Sequence, residues 1–367
     1  MKLVVTIPAQ NEDKTIASVV RSVPRQIEGI TEIEVIVMDD GSTDNTAKCA
    51  REAGAIVVPI HGRPGLGKVF KTGQDRAMRR GADVIVNIDG DGQFNSGDIP
   101  KLVAPILNDE ADFVTCSRFK DPSLWPTMPK VKFWGNHVVT RMINWVCGGT
   151  DFSDVSCGFR AFSREAAYRL TLFGRYTYTQ ETFIDLFGKG MRIIEGPLAV
   201  RGVREHGKSR VAGSVIKYAT NSLPIIVRAM RDIQPLKFFG GIAIALVIPG
   251  ILCMAAVTAR YLYTFAFEPK PKTDPITSLL YLGGVFVMLA FLMGVLALLA
   301  DMMGRHRRIS EELLYLARKK LYQNRRPPKP VHHVTSPAQA SKLSMHDSWT
   351  FPVVRSVEGE SREPVTR

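Results

Sequence analysis

Short apolar stretches rich in β-branched residues recur at residues 3–7, 35–38, 56–60, 84–88 and 113–116. Between most of them the apolar positions switch to helical spacing, over residues 14–23, 46–53, 69–80 and 101–107. Strand and helix in alternation predict an α/β domain whose mainly parallel sheet is covered by helices on both faces. The opening run through Pro8 is too short for a secretory signal and reads as a buried strand.

The pattern changes in the last third. Residues 238–259 and 275–300 are runs of 22 and 26 uncharged residues, each long enough as a helix to cross a hydrocarbon layer of about 30 Å. Two such runs in tandem, joined across Glu268-Pro269-Lys270-Pro271-Lys272, predict a transmembrane hairpin rather than a pair of buried soluble helices. Pro249 kinks the first span without forbidding it. Before it, Val215, Ile216, Ala219, Leu223, Ile226, Val227 and Met230 recur at helical spacing. That stripe fits a core-facing helix as well as one lying along a membrane surface, and the surface reading is preferred because a span follows. Five segments are expected: a globular domain over 1–210, an amphipathic juxtamembrane helix over 211–235, the two spans within 236–303 (about 238–259 and 276–300), a basic helix over 304–326 and a disordered tail over 327–367.

Charge orients the hairpin. Lys and Arg total 48 against 35 Asp and Glu, a net +13 that suits a nucleic acid or an anionic membrane. Arg228, Arg231 and Lys237 precede the first span, and Arg305, His306, Arg307, Arg308, Arg318, Lys319 and Lys320 follow the second. This distribution favours lipid over nucleic acid, because the cations do not alternate with exposed aromatics on a recognition element. By the positive-inside rule both termini face the cytoplasm. The hydrophobic share of 45% excludes a wholly disordered chain. Five cysteines, an odd number without a C-x-x-C pair, argue against a disulfide framework or a thiolate zinc site and for reduced, buried thiols.

Parallel sheets bind ligands beyond the carboxyl ends of their strands, and here those ends are polar. Pro8-Ala9-Gln10-Asn11-Glu12 follows the first strand, Asp39-Asp40-Gly41-Ser42-Thr43-Asp44 the second, and Asp89-Gly90-Asp91-Gly92-Gln93 the strand over 84–88. In an extended chain Asp89, Asp91 and Gln93 project to one side as hard oxygen donors suited to Mg²⁺ or Mn²⁺, and Gly90 and Gly92 let a bulky anion approach the backbone. An Asx turn with glycines at positive φ gives the same spelling. The strand-end position and the second acidic cluster favour the metal. Asp39 to Ser42 is compatible both with capping the next helix, Asp44 being the cap, and with accepting hydrogen bonds from a nucleotide. Gly62 to Lys68 has Walker A spacing, but Val69 stands where Ser or Thr must bind Mg²⁺, so the glycines read as a turn.

These strand-end motifs, with Ser117-Arg118, Asp154-Val155-Ser156-Cys157-Gly158-Phe159-Arg160-Ala161-Phe162, Gln180-Glu181, Glu195-Gly196-Pro197 and Arg204-Glu205-His206-Gly207-Lys208-Ser209, resemble the family 2 glycosyltransferases of GT-A fold. Within them the chain is most similar to the dolichol-phosphate mannose synthase-like, polyprenyl-phosphate glycosyltransferases with two C-terminal spans. The resemblance covers roughly residues 1–215. It implies a GT-A catalytic domain with a Rossmann-like mixed, mainly parallel sheet, a nucleotide-diphosphate sugar donor (GDP-mannose or UDP-glucose type) and a polyprenyl phosphate acceptor.

Carried over by position, the resemblance assigns Pro8, Glu12 and Asp40 to the nucleoside, Asp89, Asp91 and Gln93, with Gly90, to the metal and donor diphosphate, and Arg118 and Arg204 to the phosphates. Asp91, Arg118 and Arg204 are the expected catalytic residues. Lys132 and Asn136 stand where relatives place an Arg and a Ser for the lipid phosphate, and lysine keeps the charge while losing the bidentate fork. His137 and Trp134 read as packing residues. A phosphate acceptor is already an anionic nucleophile near neutral pH, so inverting displacement needs no protein base. A hydroxyl acceptor on a saccharide or lipid would need one, supplied by Glu181 or Asp185. A processive synthase is disfavoured by the lack of Q-x-x-R-W, and an inactive scaffold by the intact acidic and cationic set. Gly240-Gly241 and Gly283-Gly284 are candidates for close helix contact within the chain or in a homo-oligomer.

Overall fold

β1 (Lys2–Ala9) is an interior strand, third in a seven-stranded sheet of order β3-β2-β1-β4-β6-β5-β7. A computed structural model of the 367-residue chain describes residues 1–62, 65–172, 178–202, 224, 227–228, 231–232, 234–267 and 276–323. The other strands are β2 (Glu32–Asp39), β3 (Ile56–Pro59), β4 (Val84–Asn87), β5 (Phe113–Ser117), β6 (Arg160–Ser163) and β7 (Ile193–Pro197). All pairings are parallel except those of β6, which runs antiparallel between β4 and β5. The expected mixed, mainly parallel α/β sheet of the GT-A type is therefore present.

The helices of this part are α1 (Ile16–Arg21), α2 (Thr46–Glu52), α3 (Leu66–Arg79), α4 (Ile99–Leu107), α5 (Lys130–Val146), α6 (Arg164–Arg169) and α7 (Thr179–Gly188). Leu3, Val5 and Ile7 of β1 and Val84 and Val86 of β4 meet Ile16, Val19 and Val20 of α1 and Leu102 and Val103 of α4 on one face. Thr6, Ile36, Phe70, Phe113 and Phe162 are buried as well, so the sheet is covered on both sides. Fully burying each such apolar side chain contributes about 1.5–3 kcal/mol. All five cysteines are free thiols; Cys116, Cys147 and Cys157 are buried, whereas Cys49 and Cys253 are only half-buried.

The chain divides into two compact units, Met1–Ile226 with Glu312–Arg367, and Val227–Glu311. In the second, α8 (Pro235–Phe267) and the greater part of α9 (Ile276–Gln323) are long and apolar enough to cross a membrane. They touch at two glycines: a Cβ on Gly250 would stand 2.9 Å from Val287 Cγ2, and one on Gly283 would stand 3.1 Å from the Gly250 carbonyl oxygen. Gly283 therefore serves a contact within the chain, whereas Gly240, Gly241 and Gly284 have open space where a Cβ would be. The separate span and basic helix expected around residue 303 form one unbroken α9, with Asp301–Arg305 and Arg307–Glu311 paired one turn apart at 2.7 Å. The juxtamembrane helix expected over 211–235 lies mostly, and the tail over 327–367 wholly, outside the described residues.

Residues 312–323 of α9 belong to the first unit. Tyr322 donates its hydroxyl to Asp75 of α3 at 2.5 Å and stacks on Tyr168 of α6. Arg318, read from sequence as a flanking cation, turns onto protein: its Nη1 donates to the carbonyls of Tyr168 (3.0 Å) and Leu170 (2.7 Å).

Glu34 of β2 accepts from Lys2 Nζ at 2.7 Å and pairs with Arg80. Partial burial opposes ionisation, but these two cations overcome it and pull the carboxyl from 4.5 to about 2. Because folding lowers this pKa, the stabilisation is complete above pH 4.5 and is lost as the pH falls toward 2. Glu34→Gln is expected to destabilise the protein by about 2 kcal/mol at pH 7. Thermal unfolding of the two proteins compared from pH 7 downward should show the difference closing in the acid range.

Candidate active site

The loops after β1, β2 and β4 meet at one edge of the sheet because β1 pairs with both neighbours, Ala9 level with Asp39 and Thr6 level with Asn87. They are cross-tied. Asn11, at φ 56°, accepts from the Thr43 amide at 2.8 Å and donates its own amide to Ser42 Oγ at 3.1 Å. The Glu12 amide donates to Thr46 Oγ1 at 2.8 Å, and the Thr46 amide and hydroxyl donate to Asp44 at 2.9 and 2.5 Å. Burial works against the Asp44 carboxylate, yet the Thr46 hydroxyl and the amides of Thr46 and Asp13 hold its pKa below the ordinary value. Asp44 thus serves the start of α2. Asp39 accepts from the Ser42 amide (3.0 Å) in an Asx turn, and Asp40 Oδ2 accepts from the Gly65 amide at the start of α3 (3.3 Å). Lys68 lies in the first turn of α3, its ammonium bonded to the His61 carbonyl.

Gly90 lies against Pro8: a Cβ there would stand 3.3 Å from the Pro8 carbonyl oxygen and 3.2 Å from Ile16 Cδ1. Its own carbonyl accepts from Thr15 Oγ1 at 2.8 Å. Pro8, Glu12, Asp40 and Gly90 are therefore brought to one edge by backbone registry and short cross-loop bonds. Asp91, 3% exposed, accepts the Gln93 amide at 3.0 Å, and Gly92 takes φ 74°. The Asx turn and the acidic cluster are one structure rather than alternatives. Gln93 is tethered by its side chain, Nε2 donating to the Arg201 carbonyl at 2.9 Å, which turns its amide oxygen into the acceptor end.

Asp89 is half-buried and faces Gly158, where a Cβ would stand 2.7 Å from Oδ2 and 3.1 Å from Oδ1. The Gly158 carbonyl accepts from Asn87 Nδ2 at 2.9 Å, and the same nitrogen donates to Tyr178 at 2.8 Å. Arg160, with 0% exposure, fixes the rest of this loop. Its Nε donates to the Cys157 carbonyl (2.7 Å), Nη1 to Thr179 (2.9 Å) and Nη2 to Val155 (3.0 Å), among the rings of Phe113, Tyr178 and Phe183. Burial lowers its pKa, while Asp154 and Asp89 work in the opposite direction.

Arg118 follows β5 and forms a fork with Asp154, Nε to Oδ2 at 2.6 Å and Nη2 to Oδ1 at 2.9 Å. Burial alone would lower the Arg118 pKa, but Asp154 raises it. Asp154 is fully buried, and its amide donates to Glu195 of β7, which also accepts both the amide and the hydroxyl of Ser153. Burial raises the Glu195 pKa against those donors. The expected phosphate-binding Arg118 is thus oriented by Asp154, a carboxylate 36 residues away whose role no local pattern reveals.

Lys132 and Asn136 lie one turn apart on the half-exposed side of α5. His137 packs as expected, its ring 4.3 Å from Phe133 and 4.9 Å from Phe119. Trp134 does not: it is 69% exposed. Asp185, one of the two candidate bases, is buried and occupied by Lys189 Nζ (2.8 Å) and the Thr171 amide (2.8 Å). Glu181 is half-buried in the first turn of α7. Arg204 lies outside the described residues. Among the described residues no three His, Cys, Asp or Glu side chains gather as a metal cluster.

The sequence profile described as Glycosyl transferase family 2 matches residues 4–171, which contain all three strand-end loops and the Arg118–Asp154 pair. The chain is similar to the UDP-N-acetylglucosamine–dolichyl-phosphate N-acetylglucosaminyltransferase of Methanococcus voltae, 34% identical over 177 residues, covering 44% of this chain and 68% of the relative. It is also similar to the undecaprenyl-phosphate mannosyltransferase of Micrococcus luteus, 27% identical, covering 59% and 90%. A solved structure of glucosyl-3-phosphoglycerate synthase from Mycobacterium tuberculosis with Mn²⁺, uridine diphosphate and glucosyl-3-phosphoglycerate is 25% identical, with a TM-score of 0.48 over 61% of this chain and 79% of that one.

Arg160→Met would leave three buried carbonyls without their donor and is expected to lower stability by about 3 kcal/mol, or Tm by roughly 10 °C; an unchanged melting curve would remove Arg160 from its anchoring role. From the matched segment and the extent of the Methanococcus relative that it covers, this chain belongs to glycosyl transferase family 2.

Proposed function

We propose that this glycosyltransferase moves a hexose-type sugar, with inversion, from a nucleotide-diphosphate sugar of the GDP-mannose or UDP-glucose type to a polyprenyl phosphate such as dolichyl or undecaprenyl phosphate. The observation that carries the reading is the combination, in one chain, of acidic strand-end loops with two helices of bilayer length. Their large apolar side chains, Ile244, Leu252, Phe265 and Leu298 among them, are exposed, as lipid-facing residues are. Two relatives act, by name, on prenyl phosphates. Val131, Trp134 and Trp145 are also exposed on α5, the two tryptophans on the side of the helix away from Lys132 and Asn136, and tryptophans of this kind favour the boundary between lipid and water. The flanking cations orient both termini to the cytoplasm in this reading.

A divalent cation, Mg²⁺ or Mn²⁺, fits the donor set. Asp89 and Asp91 are hard oxygen ligands, and the tethered Gln93 presents its amide oxygen. Two carboxylates and an amide leave ligand positions for water and substrate phosphate, as Mg²⁺ prefers. When bound, the cation would offset the negative charge of the donor diphosphate. The chain's own residues do the rest. Pro8, Glu12 and Asp40 hold the nucleoside at the rigid loop edge. Arg118, preoriented by Asp154, and Arg204 supply positive charge at the leaving diphosphate. Lys132 and Asn136 receive the lipid phosphate, offsetting the repulsion between two anionic substrates that otherwise keeps them apart. The phosphate oxygen attacks the anomeric carbon as the carbon–oxygen bond to the diphosphate breaks, and no side chain accepts a proton. With Asp185 tied to Lys189, only Glu181 remains as a base for the alternative hydroxyl acceptor.

Purified full-length chain in lipid nanodiscs, supplied with nucleotide sugars and polyprenyl phosphate, is expected to form the polyprenyl-phosphate sugar. Chelation should abolish transfer and Mg²⁺ or Mn²⁺ restore it, and Asp91→Ala should lower turnover by about 100-fold or more. Chelation-resistant turnover would remove the metal reading, and equal use of dephosphorylated polyprenol would favour the hydroxyl route. Gly158→Ala, whose methyl would displace the Asp89 carboxylate, should reduce kcat/KM by roughly 10-fold or more with Tm nearly unchanged; retained kcat/KM would argue that Asp89 need not occupy this position.

A further inference from the structure

Away from the strand-end loops, α3, α6 with the residues that follow it, and residues 312–323 of α9 line a half-open cavity of about 360 Å³. Its apolar wall includes Phe70, Leu170 and Leu172, and its polar groups include Lys71, Gln74 and Arg318. Gln74 is 4% exposed, and among the described residues neither its amide nitrogen nor its amide oxygen has a hydrogen-bond partner. Leaving a buried amide unsatisfied costs about 1–3 kcal/mol, so Gln74 calls for a polar partner within the cavity.

The two cations point the same way. Lys71 Nζ donates to the Leu172 carbonyl at 3.2 Å, and Arg318 uses Nη1 on two carbonyls. Among the described residues no carboxylate lies within ion-pair distance of either, and Arg318 Nε and Nη2 have no protein acceptor. Asp75 also lines the cavity, but its carboxylate is taken by Arg79 at 2.7 Å and by the Tyr322 hydroxyl. Burial lowers the Arg318 pKa, while Tyr322, Asp185 and Asp75 work in the opposite direction. Hydrogen-bond donors therefore exceed acceptors in a space that is otherwise apolar.

We propose that this cavity binds an acidic amphiphile, its carboxylate or phosphate head held by Arg318, Lys71 and the Gln74 amide nitrogen, and its short apolar chain laid against Phe70, Leu170 and Leu172. The Gln74 amide oxygen accepts from a water or hydroxyl on the head. The volume is at the lower end for small-ligand pockets, which limits the occupant to a short chain. Bound there, the amphiphile bridges the end of α9 to α3, the helix whose capping residue Gly65 donates its amide to Asp40.

The test is calorimetric titration of the full-length protein in neutral-lipid nanodiscs with octanoate, against empty nanodiscs. One saturable site is expected, with octanol, acetate and inorganic phosphate each binding at least about tenfold more weakly. Gln74→Leu and the near-isosteric Gln74→Glu should each weaken octanoate by about tenfold or more, the second by charge repulsion without loss of shape. Absence of saturable binding, or binding indifferent to both substitutions, would overturn the site. Acetate or phosphate binding as tightly as octanoate would reduce it to an anion site, and octanol binding as tightly would reduce it to an apolar cleft; either result rejects an acidic amphiphile.

Discussion

A guanidinium with no carboxylate in ion-pair contact among the described residues sits deep in this fold. Arg160 is wholly buried, and its three donor directions end on the main-chain carbonyls of Val155, Cys157 and Thr179. Desolvating a cation is expensive, and here the cost is met by three charge-assisted hydrogen bonds, three aromatic faces and the fields of Asp89 and Asp154. The loop it ties down carries Gly158 against Asp89 and Asp154 against Arg118. Acidic and cationic sides of the site thus share one buried support.

The remainder of the site is made rigid by short polar ties rather than by apolar packing. Asn11 to Ser42 and Thr43, Glu12 to Thr46, Asp40 to Gly65 and Gln93 to Arg201 link loops that the chain order separates by 25 to 108 residues. In the proposed reading, such ties hold charged groups ready for a diphosphate, as preorganised electrostatics requires. They also explain why Asp39 and Asp44 stand so near the site while serving the backbone.

The C-terminal part joins two physical regimes in one helix. Most of α9 is apolar and exposed, whereas its last turns are amphipathic and lie on α3 and α6 through Tyr315, Arg318 and Tyr322. The i, i+4 pairs at Asp301–Arg305 and Arg307–Glu311 carry the helix through the change of character without a break. Residues counted from sequence as membrane-flanking cations divide accordingly: Arg305 pairs along the helix, and Arg318 faces protein carbonyls.

What the order of residues determined by itself was whatever local periodicity can encode. The β-branched runs of β1 to β5, the helices between them, the two bilayer-length apolar segments and the polar strand ends were all legible, since each is a property of a few consecutive side chains. β6 was not, because Arg160-Ala161-Phe162-Ser163 begins with a charge that no local rule buries. Nor were the Asp154–Arg118 fork, the Glu195 bonds to Ser153 and Asp154, the exposure of Trp134, the Gly250–Gly283 crossing or the docking of Tyr322. Each depends on partners brought together from distant parts of the chain, and a side chain's charge, burial and bonding are fixed by those partners, so only the folded arrangement could decide them.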